Sequence, residues 1–168
     1  MFLAGLIGSV VLVISSIFHL RKNKSPVMIK LFILSWIFIA IAAASWIFNP
    51  GWYRFLLTIV SVPFIHSTVF LYITTLAGKY ICQSKSMKIY TMIYYITYII
   101  SYLFFADGGD YGPMYVFFGL IHNNEIASSM MGIAIDAFLA NIVFMIMMIV
   151  KMIILKKAVV TELCEIEE

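Results

Sequence analysis

Five stretches of this chain, Phe2–Leu20, Met28–Phe48, Phe55–Ala77, Ile89–Phe105 and Met130–Leu155, are long, apolar and nearly free of charge. A helix needs about 20 such residues to cross the roughly 30 Å hydrocarbon core of a bilayer. The runs are continuous rather than alternating, which argues against a transmembrane barrel. Only 11% of the residues are charged, against roughly a quarter in a soluble domain, so the chain has too little polar surface to face water. Its 168 residues leave no room for a separate soluble domain. The expected fold is all-α: one multi-pass transmembrane helical bundle of about five helices in the cell membrane, with no repeat or linker dividing it.

Charge sets the expected orientation. Arg21, Lys22, Lys24 and Lys30 surround the first loop, Lys79, Lys85 and Lys88 the third, and Lys151, Lys156 and Lys157 close the last helix, while Arg54 alone falls on the other side. Lys and Arg accumulate in short cytoplasmic loops. Five spans bring all three clusters to one face, so the N-terminus is expected outside and the C-terminus in the cytoplasm. The net charge of +3 is then a topology signal and implies no nucleic-acid partner. The first run lacks a preceding basic stretch and a small-x-small cleavage site, and is expected to stay as an anchor. Cys82 and Cys164 both fall on the cytoplasmic side, where a structural disulfide is not expected.

Trp46, Trp52 and Tyr53 read as an aromatic belt beside the Asn49-Pro50-Gly51 turn, which makes the second and third helices antiparallel neighbours. Small residues four apart, Ala4/Gly8, Gly5/Ser9 and Ala40/Ala44, fit close helix packing. The outer loop, 106–129, holds Asp107-Gly108-Gly109-Asp110 and Tyr111-Gly112-Pro113, whose spacing suits turns better than an EF-hand calcium loop. Met114–Ile121 is too short to cross and is expected to cap the bundle or lie at the interface. His122-Asn123-Asn124-Glu125 reads as the start of the last helix, with an Asn cap and Glu125 in the first turn.

Polar residues inside the spans single out candidate sites. In the fourth, Tyr90, Tyr94, Tyr98 and Tyr102 recur every four residues opposite a face of Met92 and isoleucines. The tyrosine face is expected to meet protein or a cavity. In the third, Thr58, Ser61, Thr68, Tyr72 and Thr75 form a stripe with His66 well off it, and Pro63 is expected to kink the helix. In the fifth, Asp136 lies about two turns in from the outer end, with Asn141 deeper. A carboxylate at depth costs roughly 2.5–3.5 kcal/mol, so Asp136 is expected to turn inward, either into a site or as interhelical glue bonded to a tyrosine. If these helices are neighbours, Thr58, Ser61, Tyr98, Tyr102, Asp136, Asn141 and His66 line a ligand site open to the outer side.

Other chemistry is not expected. His19, His66 and His122 lie at different depths and offer no haem pair. There is no zinc-protease motif, phosphate loop, Cys-x-x-Cys pair or catalytic serine–histidine pair, so neither an enzyme acting alone nor a cofactor or metal is expected.

Pro63-Phe64-Ile65, Phe70-Leu71-Tyr72 and the Ala77-Gly78-Lys79 exit, followed by Tyr111-Gly112-Pro113 before the last helix, resemble the N-terminal seven-helix membrane sensor region of bacterial and archaeal histidine kinases. The resemblance covers about residues 30–150 and lacks the last two helices and the kinase module. It implies an input domain that acts through a partner. The leading expectation is therefore a small non-enzymatic membrane protein with a sensor-like bundle, receiving a ligand or partner from the outer side. The alternatives are an accessory subunit of a larger membrane complex and a small transporter component using Asp136.

Overall fold

The computed structural model describes residues 2–23, 25–49, 51–107 and 114–166, with side-chain surroundings to residue 158. Pro50, the turns over 108–113 and the surroundings of Cys164 lie outside the described residues. Six helices follow in order: α1 Phe2–Asn23, α2 Pro26–Phe48, α3 Trp52–Ile59, α4 Val62–Ala77, α5 Lys85–Leu103 and α6 Asn124–Ile166. α4 is central and touches every other helix, α5 lies along α6, and α2 rests on α4 and α5.

Small residues set the closest approaches. Gly78, just past α4, faces the backbone of Met28, so that a Cβ there would come within 2.8 Å of the Met28 Cα. Gly5 of α1 lies against Ser61 and leaves no room for a side chain. Ser9, its partner in the expected small-residue pattern, is buried, whereas Gly8 of the Ala4/Gly8 pair faces open space.

The third expected span, Phe55–Ala77, is broken rather than kinked. α3 and α4 meet at an angle of 67°. Pro63 has no N–H to donate and its ring excludes the carbonyl four residues earlier, so a straight helix cannot pass this point. The chain reverses handedness at Ser61, whose φ is +65°, and restarts with Pro63 in the first turn of α4. A non-glycine residue in that region costs about 1–3 kcal/mol and needs support from its surroundings. Support comes from α1: the Ser61 hydroxyl donates to the Phe2 carbonyl at 3.1 Å.

Residues 104–107 and 114–123 fold over one end of the bundle as a cap. Two isolated bridges, Asp107 with Tyr115 and Val116 with Ile121, tie it together. Phe117, Phe118 and Gly119 turn it with φ of 55°, 62° and 75°. Val116 packs with Ala106 and Ala127 in a small core of its own. Asn123 caps α6 as expected: its Oδ1 accepts the N–H groups of Glu125 at 2.9 Å and Ile126 at 3.2 Å. α6 thus starts before the expected Met130 and continues for 43 residues.

The distribution of side chains is inverted relative to a soluble protein. The interior carries Ser35, Ser45, Thr74, Thr75, Thr91 and four tyrosines of α5, whereas Leu3, Ile7, Ile14, Ile37, Leu139, Val143 and Ile146 are exposed. Three helices, α1, α2 and α6, are long and apolar enough to cross a membrane, and α3 with α4 makes a fourth, bent candidate. These features mark a membrane protein built as a helical bundle.

Candidate functional site

The tyrosine face of α5 turns inward as its periodicity requires: Tyr94, Tyr95, Tyr98 and Tyr102 are buried, while Met92 and Ile96 on the other side are exposed. It meets α4 along the face that carries His66, Ser67, Phe70 and Thr74. Phe70 stacks on Tyr98 with ring centroids 3.9 Å apart. Ser67 and Tyr98 share a hydrogen bond of 2.8 Å. Nearer the basic end, Ser35 of α2 joins Thr74 and Tyr95, both at 2.6 Å. The Ser35, Ser67, Thr74, Tyr95 and Tyr98 hydroxyls are thus partnered, as a low-dielectric interior demands, whereas the Tyr94 hydroxyl is buried without a partner.

His66 is the hub. Its ring stacks on Tyr102 at 5.6 Å and 16°, with the edge of Phe138 at 4.9 Å. Nδ1 lies 3.1 Å from the Tyr102 hydroxyl and Nε2 lies 3.0 Å from Asn141 Oδ1. The Asn141 amide donates to the Tyr94 carbonyl at 2.8 Å and to Thr97 Oγ1 at 2.9 Å, which fixes its orientation. Oδ1 must then accept, so His66 donates from Nε2, while the Tyr102 hydroxyl beside Nδ1 also lies 3.4 Å from the Pro63 carbonyl. The three helices α4, α5 and α6 are locked together through one imidazole.

A pocket of about 380 Å³ opens beside this hub, between the α3–α4 break and the cap. Trp46, Pro63, Tyr102, Phe105, Ile135 and Phe138 contribute to its wall, which is almost wholly apolar. Its volume falls in the range of small-molecule sites, roughly 300–1,000 Å³.

Above the pocket sits a cluster that the positive-inside pattern recorded only as an exception. Arg54 is 2% exposed. Its guanidinium donates to the Ser45 carbonyl at 2.5 Å and to the Phe105 carbonyl. The Trp46 ring lies 4.9 Å and the Phe105 ring 5.6 Å from the guanidinium carbon. Asp107 is fully buried, and its carboxylate accepts the Arg54 backbone N–H at 2.7 Å, capping α3 from across the sequence. Gly51 makes that approach possible, since a Cβ there would overlap the carboxylate. Trp46, expected at a membrane interface, is instead an inner strut whose Nε1–H donates to Thr58 at 3.0 Å. The sequence signal for this cluster was a lone arginine among aromatic residues.

The candidate residues separate into four groups. His66, Asn141, Tyr98 and Tyr102 come together in the hub. Thr58 belongs to the Arg54–Trp46 cluster. Ser61 lies at the helix break against α1, on the opposite face of α4. Thr68 donates to its own helix at the Phe64 carbonyl, and Tyr72 packs 6.0 Å from His19 of α1, so the expected stripe does not face α5. α4 is sandwiched, and both its faces are polar. Asp136 is exposed on the outer surface of α6 and lines neither of two cavities. The expectation that it turns inward is corrected: the α6 face packed on α5 is taken by Ala134, Ala137 and Asn141, which are buried.

Among the described residues no group of three or more His, Cys, Asp or Glu could hold a metal. The pocket has room for a small apolar molecule and shares Tyr102 and Phe138 with the surroundings of the His66 imidazole. Comparison with protein-family models, curated proteins and solved structures finds no match to this chain.

Proposed function

We propose that the chain is a non-enzymatic, sensor-like membrane bundle that crosses the bilayer five times, with the N-terminus outside, and receives a small apolar ligand under the cap on the outer side. The crossings are α1, α2, α3 with α4, α5 and α6. The positions of the lysines support the orientation. The observation that carries the reading is the apolar pocket, walled by Tyr102 and Phe138, which also flank His66. A ligand there touches α2, α3, α4, α5 and α6 and the cap at once, as an input module acting through a partner requires.

The test uses Trp46 as reporter. Trp36→Phe and Trp52→Phe, both at exposed positions, leave Trp46 as the single indole. Titration with small aromatic and aliphatic compounds in reconstituted protein should give, for at least one, a saturable change in Trp46 emission and a rise in melting temperature. Ile135→Phe, which adds bulk to the pocket wall at an exposed position without adding an indole, should weaken both. No saturable change across the series would overturn the reading.

A second reading, an accessory subunit of a larger membrane complex, is favoured by Asp136. The carboxylate stands on an apolar face with Gly132 and Ala140 one turn to either side, and a Cβ at Gly132 would meet nothing. Intramembrane acids are costly unless covered, and small neighbours let another helix approach. Asp136→Leu should release a stoichiometric partner in gentle detergent without lowering the melting temperature. A chain that purifies alone before and after the change would count against it. The transporter alternative, with Asp136 carrying a proton or cation, draws no support from the two cavities, since Asp136 lines neither.

A further inference from the structure

At the end of the bundle opposite the cap, a second cavity of about 590 Å³ lies open between α1, α4 and α6. Each of the three helices contributes in the same polarity. Along α1, Phe18 precedes Lys22; along α4, Leu76 precedes Lys79, which lies just beyond the helix; along α6, Ile149 and Ile153 precede Lys156. All three helices run towards the basic end, so the apolar residues form the deep part of the groove and the three ammonium groups form its mouth. From Ile149 to Lys156 the groove spans about 10 Å of helix.

The mouth is cationic throughout. Lys22, Lys79 and Lys156 are exposed, His19 also lines the groove, and among the described residues no carboxylate does. Lys79 lies 5.7 Å from the Tyr80 ring, which steadies its ammonium at the rim. A groove with an apolar floor and a cationic mouth is complementary to an amphiphile with an anionic head. Basic pockets between transmembrane helices recognise such head groups, and the volume lies within the range of ligand sites.

We propose that this groove is a binding site for one anionic phospholipid from the surrounding leaflet, with the phosphate at Lys22, Lys79 and Lys156 and an acyl chain along Phe18, Leu76 and Ile153. The site requires only that the chain sits in a bilayer. It is independent of the pocket under the cap, and the readouts below do not involve Trp46.

The full chain in a neutral detergent is titrated with short-chain phosphatidylglycerol, with phosphatidylcholine of the same chain length, and with glycerol phosphate, and bound ligand is counted by native mass spectrometry. One phosphatidylglycerol should bind at least tenfold more tightly than phosphatidylcholine. The triple variant Lys22→Gln/Lys79→Gln/Lys156→Gln should lose that preference, and each single variant part of it. Lys30→Gln/Lys85→Gln/Lys88→Gln removes the same charge from exposed positions off the groove and should retain it. Ile153→Trp, at an exposed position in the groove, should weaken phosphatidylglycerol and leave glycerol phosphate unchanged. Melting in phosphatidylcholine checks that each variant is folded. Equal binding of the two lipids overturns the proposal, as does equal loss in both triple variants, which would reduce the effect to the general surface field. Glycerol phosphate binding as tightly as the lipid would make free phosphate esters the ligand and also overturn it.

Discussion

Asn141 closes hydrogen bonds to His66, to the Tyr94 carbonyl and to Thr97, and so joins α6 to both α4 and α5. Asn141→Leu keeps the side-chain volume but leaves the His66 N–H without its acceptor, at a cost of about 1–3 kcal/mol. The variant should melt at lower temperature in detergent, and the loss should shrink when His66→Phe is already present. Additive losses would show that the two side chains are not coupled. His66 and Asn141 could be singled out from sequence because polar side chains are scarce at that depth. Ser35 could not, since serine on an apolar helix commonly bonds back to its own backbone, as Ser35 also does to Leu31 at 2.8 Å. Only the packing of α2 reveals that its hydroxyl also serves Thr74 and Tyr95.

The α3–α4 break rests on the left-handed backbone of Ser61, so its tolerance to substitution should follow backbone freedom rather than polarity. Ser61→Val puts a β-branched side chain at φ +65° and against Gly5, and should destabilise by at least about 2 kcal/mol. Ser61→Gly relieves the backbone while losing the bond to Phe2, and should stay within about 1 kcal/mol of the parent in the same thermal assay. A valine variant as stable as the glycine variant would contradict this account. Pro63 announced an interruption in this helix, and the Asn123 cap announced the start of α6. The direction of the polar stripe was not legible. Periodicity says that Thr58, Ser61, Thr68 and Tyr72 share a face, but it does not say which neighbour that face meets. α4 turned out to be the central helix, with α1 on that side and α5 on the other. Asp136 eluded sequence reasoning for the same reason: its depth follows from the apolar run, whereas its direction depends on which face of α6 packs on α5.

For the molecule as a whole, the cap and the lysine-rich end lie at opposite ends of the bundle, and the proposed orientation puts the cap outside. Leu120, 72% exposed on the cap, offers a probe position. In a Cys82→Ser/Cys164→Ser background, Leu120→Cys should react with an impermeant thiol reagent on intact cells. Cys82, exposed at the opposite end, should react in the parent chain only after permeabilisation. The reverse pattern would invert the topology. One helix reaches both regions: α6 begins under the cap, passes Ile135 and Phe138 at the pocket and Asn141 at the hub, and continues unbroken beyond Lys156. At about 1.5 Å per residue its 43 residues measure roughly 65 Å, twice the hydrocarbon thickness. Such a helix is a drive shaft. A few degrees of rotation forced on Phe138 by whatever fills the pocket would be delivered, with no joint to absorb it, to the segment that leaves the membrane.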